Sequence, residues 1–152
     1  MENLFDEYRN FLKDTIRQRI DFRHTDQSKG IAPPPVEKPY AADSYRIDLV
    51  TKDNWHNVAS QDLVSVIQNR RSYRNFKADP LTLEDLSFLL WATQGITKIR
   101  DETAAFRTVP SAGCRHALET YLCILNVAGL ETGIYRYLPI EHQLLLVSKN
   151  KH

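Results

Sequence analysis

Hydrophobic positions along the chain follow helical spacing first and strand-like spacing later. Over residues 3–20, apolar side chains recur every three or four positions, which predicts an amphipathic helix. Two more helices are predicted further along. The first begins near Ser60 and runs to residue 69, and the second has Thr82 as its N-cap and ends at Gly95.

The second half of the sequence is typical of strands. Residues 120–127 form a continuous apolar run, and residues 134–138 and 143–147 predict a hairpin that turns at 139–142. Between the helices and these strands, residues 96–115 are charged and show no regular period, so we expect irregular structure there. Helices followed by clustered strands indicate an α+β fold.

Residues 21–45 predict an extended arm. They contain Gly30 and four prolines, which fix φ and remove backbone donors. We therefore divide the chain into an N-terminal helix and proline-rich arm over residues 1–45 and a folded portion over residues 46–152. The apolar helix and the arm also suggest that the chain associates, most simply as a homodimer.

Charge and targeting signals narrow the possible functions. Twenty Lys and Arg against nineteen Asp and Glu leave a net charge of +1, whereas proteins that bind nucleic acid or membrane surfaces are usually strongly basic. No run approaches the roughly 20 apolar residues of a membrane span, and the charged N-terminus does not resemble a secretory signal. We expect a cytoplasmic protein with neither nucleic acid nor membrane as its partner.

The glycines, cysteines and histidines exclude several kinds of site. The five glycines form neither a G-x-G-x-x-G nor a Walker A pattern. Cys114 and Cys123 are too few for a four-thiolate zinc site, and we expect both to be small buried hydrophobes in a reducing compartment. The histidines show no metal-ligand spacing, so no metal site is predicted.

Two short segments could carry chemistry. Residues 70–74, RRSYR, place three guanidiniums and a hydroxyl at the end of a predicted helix, where they could grip a phosphate. Taken alone, the segment is more typical of arginines that complement the helix dipole. Residues 110–113, PSAG, could let the backbone approach a flat ligand, although an ordinary turn before a strand would have the same composition.

Three longer segments carry a resemblance to a known family. They read RRSYRNFKADPLTLEDLSFLLWATQGIT, RTVPSAGCRHALETYLCIL and GLETGIYRYLPIEHQLLLV. Together they resemble the N-terminal half of FMN-dependent nitroreductase-fold proteins, and more narrowly the SagB-type dehydrogenase branch. The resemblance implies a nitroreductase-like α+β fold that is incomplete at the C-terminus, with residues 46–152 as the N-terminal portion of the FMN domain.

The resemblance also implies roles for individual residues. Arg70 and Ser72 would contact the FMN phosphate and ribityl chain, Arg71 would lie beside them, and Arg74 would reach the N1/O2 edge of the flavin, where reduction leaves negative charge. A second set of implied cofactor-binding residues would approach the flavin from the partner subunit of a homodimer: Pro110, Ser111, Ala112 and Gly113. The residues that follow, Cys114-Arg115-His116, depart from the apolar stretch usual in the family.

The implied activity is that of an FMN-dependent oxidoreductase working by ping-pong hydride transfer through flavin N5. Its substrate would be a small molecule or a peptide, with NAD(P)H as a possible electron donor; no catalytic residue is assigned. The family continues beyond the hairpin with a Gly-His helix and further strands that do not follow Val147 here. The alternative is therefore a truncated, non-enzymatic remnant, or a subunit whose flavin site is absent or completed by another chain.

Overall fold

A computed structural model describes residues 4–58 and 61–149, and the chain divides into two compact units between Pro34 and Pro35. In the first unit, α1 spans Leu4–Phe11 and 3-10 turns follow at Asp14–Arg19 and Phe22–His24. The helix predicted over residues 3–20 is thus shorter than expected, because Lys13 has extended backbone angles (φ −90°, ψ 138°) that end the α-helical hydrogen bonding. Residue 3 lies outside the described residues.

The second unit is built on a four-stranded antiparallel sheet. Its strands are β1 (Arg46–Asp48), β4 (Tyr121–Ile124), β5 (Gly133–Leu138) and β6 (Gln143–Lys149), in the order β1-β6-β5-β4. The predicted hairpin is confirmed, with Leu138 opposite Gln143 across the turn. The strand predicted over 120–127 ends early, because the backbone leaves the sheet after Ile124. The α+β class is confirmed.

One long helix, α3 (Leu83–Gln94), covers the sheet and supplies Leu86 and Leu90 to the core. Both ends of α3 are where the sequence predicts them. The hydroxyl of Thr82 accepts a hydrogen bond from the backbone N–H of Asp85 at 3.0 Å, and the helix stops at Gly95. A Cβ on Gly95 would lie 2.6 Å from the Trp91 carbonyl oxygen, so the close approach at this end requires glycine.

A second, two-stranded sheet follows α3 directly and was not predicted. It pairs β2 (Ile96–Asp101) with β3 (Ala104–Arg107), so the expectation of irregular structure over residues 96–115 is wrong for this part. Five of the six β2 residues are exposed, and the apolar alternation that marks a half-buried strand is therefore missing. The turn is held by Asp101, whose carboxylate accepts 2.8 Å hydrogen bonds from the backbone and hydroxyl of Thr103.

The helix before the arginine-rich segment, α2, spans Leu63–Asn69. Asp62 is its N-cap and accepts a hydrogen bond from the Ser65 N–H at 2.9 Å, whereas the expected start near Ser60 falls outside the described residues. The apolar side chains of α2 are 50 to 72% exposed.

Within residues 4–58 and 61–149, no helix is long and apolar enough to cross a membrane.

The expectation that both cysteines are buried is wrong. Cys123 is exposed on β4, an edge strand of the sheet, and Cys114 is only partly buried. Alternation explains the first case, because the Cys123 side chain points to the opposite face from its neighbour Ile124, which is in the core.

Residues 36–40 lie against β3, β5 and the turn after β5. The Lys38 N–H donates to the Glu119 carboxylate at 2.8 Å, and the guanidinium of Arg136 donates to the Lys38 carbonyl oxygen at 2.8 Å. Glu37 is 8% exposed and accepts a hydrogen bond from the Ile140 N–H at 3.3 Å. Burial raises the pKa of Glu37, against the opposing effects of that hydrogen bond and of Arg136.

We expect the substitution Leu144→Ala to lower the free energy of unfolding by about 2–5 kcal/mol, because it opens a cavity in the core. Leu144 is fully buried, whereas Leu125 is 70% exposed and gives a matched control. Leu125→Ala should change stability by no more than about 0.5 kcal/mol. Urea denaturation of the two variants checks this, and equal losses would contradict the assignment of the core.

The substitution Glu37→Gln should stabilise the protein progressively as pH rises. Because the native pKa of Glu37 is raised above its ordinary value of 4.5, the native state prefers the protonated acid. The wild type therefore loses stability as pH increases from 4.5 through the native pKa, whereas glutamine cannot ionise and can still accept the Ile140 hydrogen bond.

Urea denaturation at about pH 4 and about pH 7 measures this difference. Glu102→Gln removes an exposed carboxylate instead, so it controls for the change in net charge. An advantage of Glu37→Gln that stays constant or shrinks with increasing pH would refute the expectation.

Candidate functional site

The arginine-rich segment at residues 70–74 begins where α2 ends. The Arg70 N–H donates to the Val66 carbonyl oxygen at 3.0 Å and closes the last helical turn. The Arg71 guanidinium turns back and donates to the carbonyl oxygens of Gln68 and Arg70, both at 2.9 Å. Arg71 therefore acts partly as a helix C-terminal partner, as the dipole interpretation of this segment predicts.

The remaining site residues of this segment have no such partners. Arg70, Ser72 and Arg74 are exposed, and within the described ranges their side chains form neither hydrogen bonds nor ion pairs. Two positive charges and one hydroxyl are thus available to an external anion. A phosphate, with its several acceptor oxygens, is chemically suited to this set of donors.

The chain is held in place on both sides of the arginine-rich segment, at points near the start of α3. On the N-terminal side, the Glu84 carboxylate accepts hydrogen bonds from the N–H groups of His56 and Asn57, each at 2.6 Å, and these bonds lower the pKa of Glu84. On the C-terminal side, Leu81 forms a parallel bridge to Val127. The segment therefore projects from the N-terminal end of α3.

The second candidate segment, residues 110–113, follows β3 and is fixed to the end of α3. The Thr108 N–H donates to the Gly95 carbonyl oxygen and the Thr108 hydroxyl donates to the Trp91 carbonyl oxygen, both at 2.9 Å. Beyond this attachment, Ser111 and Gly113 are exposed, and the Ser111 hydroxyl accepts a hydrogen bond from the His116 N–H at 3.3 Å.

Three residues at the end of this loop and just after it have left-handed backbone angles. Gly113 (φ 72°) adopts them without strain, but Cys114 (φ 56°) and His116 (φ 37°) do so at a conformational cost of about 1–3 kcal/mol each. Residues 114–116 are also those at which the resemblance stated above implies a departure from the family. In the described part of the chain, no hydrogen bond or ion pair joins residues 70–74 to residues 110–113.

A cleft of about 370 Å³ lies beside the loop. Sequence reasoning missed the charged residue in its wall, Arg107, and set His116 aside as scattered. The guanidinium of Arg107 donates to the Gln94 side-chain oxygen at 3.0 Å and to the Val36 carbonyl oxygen at 3.4 Å. The lining consists of Phe106, Arg107, Thr108, Val109, Pro110, Ser111, Cys114 and His116.

Arg107 is a charged residue in the wall of the cleft. Burial lowers the pKa of Arg107 against the charges of Glu119 and Glu37, which raise it, and a guanidinium remains protonated at neutral pH. Burial, followed by the charge of Arg107, lowers the pKa of His116 below its ordinary value of 6.5, so this imidazole is neutral at pH 7. The position of Arg107, three residues before Pro110, is the one sequence signal that could have drawn attention to it.

Across residues 4–58 and 61–149, no three His, Cys, Asp or Glu side chains come together in a way that could hold a metal ion. The chemical resources of the candidate site are therefore the donors of residues 70–74, the loop at 110–113 and the cleft beside it.

Comparisons with known proteins agree on one family. The nitroreductase family model matches residues 67–152 and so includes both candidate segments. A protein of Methanocaldococcus jannaschii assigned to the nitroreductases is 41% identical over 85 residues, which cover 56% of this chain and 41% of that protein.

A solved structure gives the same result for the fold. The crystal structure of a Ralstonia eutropha protein, also assigned as a nitroreductase, superimposes with a TM-score of 0.51 at 29% identity, covering 76% of this chain and 48% of the other. The chain thus spans less than half the length of these relatives. Because the family model covers more than half of the sequence and encloses both candidate segments, this chain belongs to the nitroreductase family.

Proposed function

We propose that this chain forms part of an FMN-dependent oxidoreductase of the SagB-type branch. The observation that carries the proposal is the pair of exposed guanidiniums, Arg70 and Arg74, which have no ion-pair partner among the described residues and lie within the matched family segment. Positive charges left without carboxylates at a helix end favour an anionic ligand over a purely structural role.

The donors fit a flavin mononucleotide in charge and in chemistry. Its phosphate carries a charge approaching −2 at neutral pH and offers three acceptor oxygens, in the same way as a phosphorylated side chain. Arg70 and Ser72 would bind this phosphate and the ribityl chain, and Arg74 would lie at the N1/O2 edge. Arg71 would contribute less, because its guanidinium already donates to the carbonyl oxygens at the end of α2.

When bound, FMN would supply hydride acceptance and donation at N5, in a ping-pong cycle between a donor such as NAD(P)H and a small-molecule or peptide substrate. The protein's part is electrostatic and positional. The guanidinium of Arg74, ordered by the bound cofactor, would stabilise negative charge that develops on the N1/O2 edge. The loop at residues 110–113, in which Pro110, Ser111 and Gly113 are exposed and Gly113 lies in the left-handed region, would bring backbone close to the flat ring.

We further propose that the active assembly is a homodimer in which Pro110, Ser111, Ala112 and Gly113 serve the flavin of the partner copy. Support comes from α2, whose apolar side chains remain largely exposed. Uncovered apolar surface of this kind is typical of an interface.

A chain that purifies without the absorbance of oxidised flavin, and takes up none on titration, would favour the alternative of a non-enzymatic subunit.

Alanine substitutions in the arginine-rich segment should separate its three guanidiniums. Arg70→Ala and Arg74→Ala should each weaken FMN binding roughly ten- to a hundred-fold, because each removes a charge-assisted hydrogen bond worth about 1.5–3 kcal/mol. Arg71→Ala should have a smaller effect. Quenching of flavin fluorescence during titration of each variant measures the dissociation constants.

Arg100→Ala is the matched control for this experiment. It removes an exposed arginine that is paired with Asp101 in β2, at a nitrogen–oxygen distance of 3.5 Å. This variant should bind FMN as the wild type does. If all four variants bind FMN equally, the segment is only a helix end and the cofactor assignment fails.

A further inference from the structure

Residues 36–40, which we call the strap, belong to no helix or strand and are held in place by a few hydrogen bonds. Besides the two bonds of Lys38 described above, Val36 forms one in each direction. Its N–H donates to the Glu102 carbonyl oxygen at 3.3 Å, and its carbonyl oxygen accepts from the Arg107 guanidinium at 3.4 Å. Because none of these bonds belongs to a strand ladder, they can break together while the four-stranded sheet stays intact.

Glu37, within the strap, lies in a poor environment for a charge. Its side chain is buried, and in the described part of the chain the one hydrogen bond that it accepts comes from the Ile140 N–H at 3.3 Å. Burial with so few hydrogen bonds penalises the ionised form of a carboxyl group far more than the protonated form. The attached strap therefore favours the protonated acid.

The charges around Glu37 do not reverse this preference. The titratable groups that face it are Arg107 on β3, Glu119 before β4, Arg136 and Tyr137 on β5, and Glu141 in the turn after β5. The two guanidiniums favour ionisation of Glu37 and the two carboxylates oppose it, whereas burial raises the pKa of Tyr137 and keeps that phenol uncharged. Burial remains the largest effect, and the pKa of Glu37 is raised.

We propose that the strap is a pH-sensitive latch, which is closed while Glu37 is protonated and detaches from β3 and β5 when Glu37 ionises. In the detached strap this carboxyl group is in water and titrates near its ordinary pKa of 4.5. The equilibrium constant for opening therefore increases by up to about tenfold per pH unit from 4.5 to the native pKa, and is constant above it.

Opening of the latch would reach the cleft beside residues 110–113. Arg107 lies in the wall of that cleft, and one of its two hydrogen-bond acceptors is the Val36 carbonyl oxygen. Detachment of the strap removes this acceptor and leaves the guanidinium held by Gln94 alone. The latch thus makes the position of one wall residue depend on pH.

Native-state hydrogen exchange of the full chain without flavin, followed by NMR, tests the latch at single amides. The reporters are the N–H groups of Val36, Lys38 and Ile140, whose hydrogen bonds break on detachment. Tyr137, whose N–H donates to the Thr120 carbonyl oxygen at 2.9 Å, reports unfolding of the sheet. After correction for intrinsic exchange, the reporters should open at least about tenfold more often than Tyr137 and with little dependence on urea, as expected for a local event.

Two variants of equal charge identify the titrating group. In Glu37→Gln, which cannot ionise, opening of the three reporters should no longer increase with pH. Asp79→Asn removes an exposed carboxylate that does not act on Glu37, so it should keep the increase of the wild type. The ¹³C shift of the Glu37 carboxyl group follows its ionisation directly, and its inflection should coincide with the pH at which the increase levels off. This measurement decides the assignment even if Glu37→Gln does not fold.

Four outcomes would overturn the proposal. They are reporter opening that is independent of pH in the wild type, the same increase in Glu37→Gln, reporters that open only together with Tyr137, and reporters without protection at pH 4.5, where the strap should be closed. None of these measurements involves FMN, so their result does not depend on the proposed function.

Discussion

The antiparallel pairing of β5 with β6 is the interaction on which the rest of the second unit depends. It joins the core residues Tyr135, Tyr137 and Leu144, each no more than 1% exposed, and provides the surface on which α3 packs. Burying Tyr137 requires a partner for its hydroxyl, which forms a 2.8 Å hydrogen bond with His142 Nδ1. His142 Nε2 lies 3.1 Å from the Val50 carbonyl oxygen and must donate there, so its Nδ1 is the acceptor for Tyr137.

The candidate site is attached to this core around the two ends of α3. Near the N-terminal end, Glu84 binds the backbone before the arginine-rich segment, and Leu81, after that segment, pairs with Val127. The C-terminal end of α3 holds the loop at 110–113 through Thr108. One rigid helix thus connects the proposed phosphate donors to the proposed flavin-facing loop. Because opposite ends of α3 carry them, the two segments are not brought together by any hydrogen bond or ion pair among the described residues. This arrangement is compatible with the proposed use of the loop by a partner copy.

The sequence predicted α3 and the hairpin because local signals and tertiary packing agree there. Thr82 and Gly95 mark the ends of the helix, and the turn before Gln143 separates two apolar runs. Prediction from the sequence failed at β2, whose exposed residues show no alternation of apolar and polar side chains. It also failed at Cys123, which lies within an apolar run but faces outward on an edge strand. The contacts of Arg107 with Gln94 and Val36 could not be predicted, because those residues are 13 and 71 positions away in sequence. The roles expected for residues 70–74 and 110–113 come from the family resemblance, because the local pattern alone left them ambiguous, and they stay predictions.

The exposed α2 and the arginines after it have a consequence for cofactor affinity. Apart from its attachments at Asn57 and Leu81, the stretch over residues 61–77 forms few interactions with the sheet, so it can unfold locally without breaking the β5–β6 ladder. Such a segment should exchange its amide hydrogens much faster than the strands do. A ligand gripped by Arg70 and Arg74 would have to immobilise this segment, and part of its binding free energy would be lost as conformational entropy. Covering α2 with a second chain would remove that loss in advance, so cofactor affinity and assembly would be thermodynamically linked.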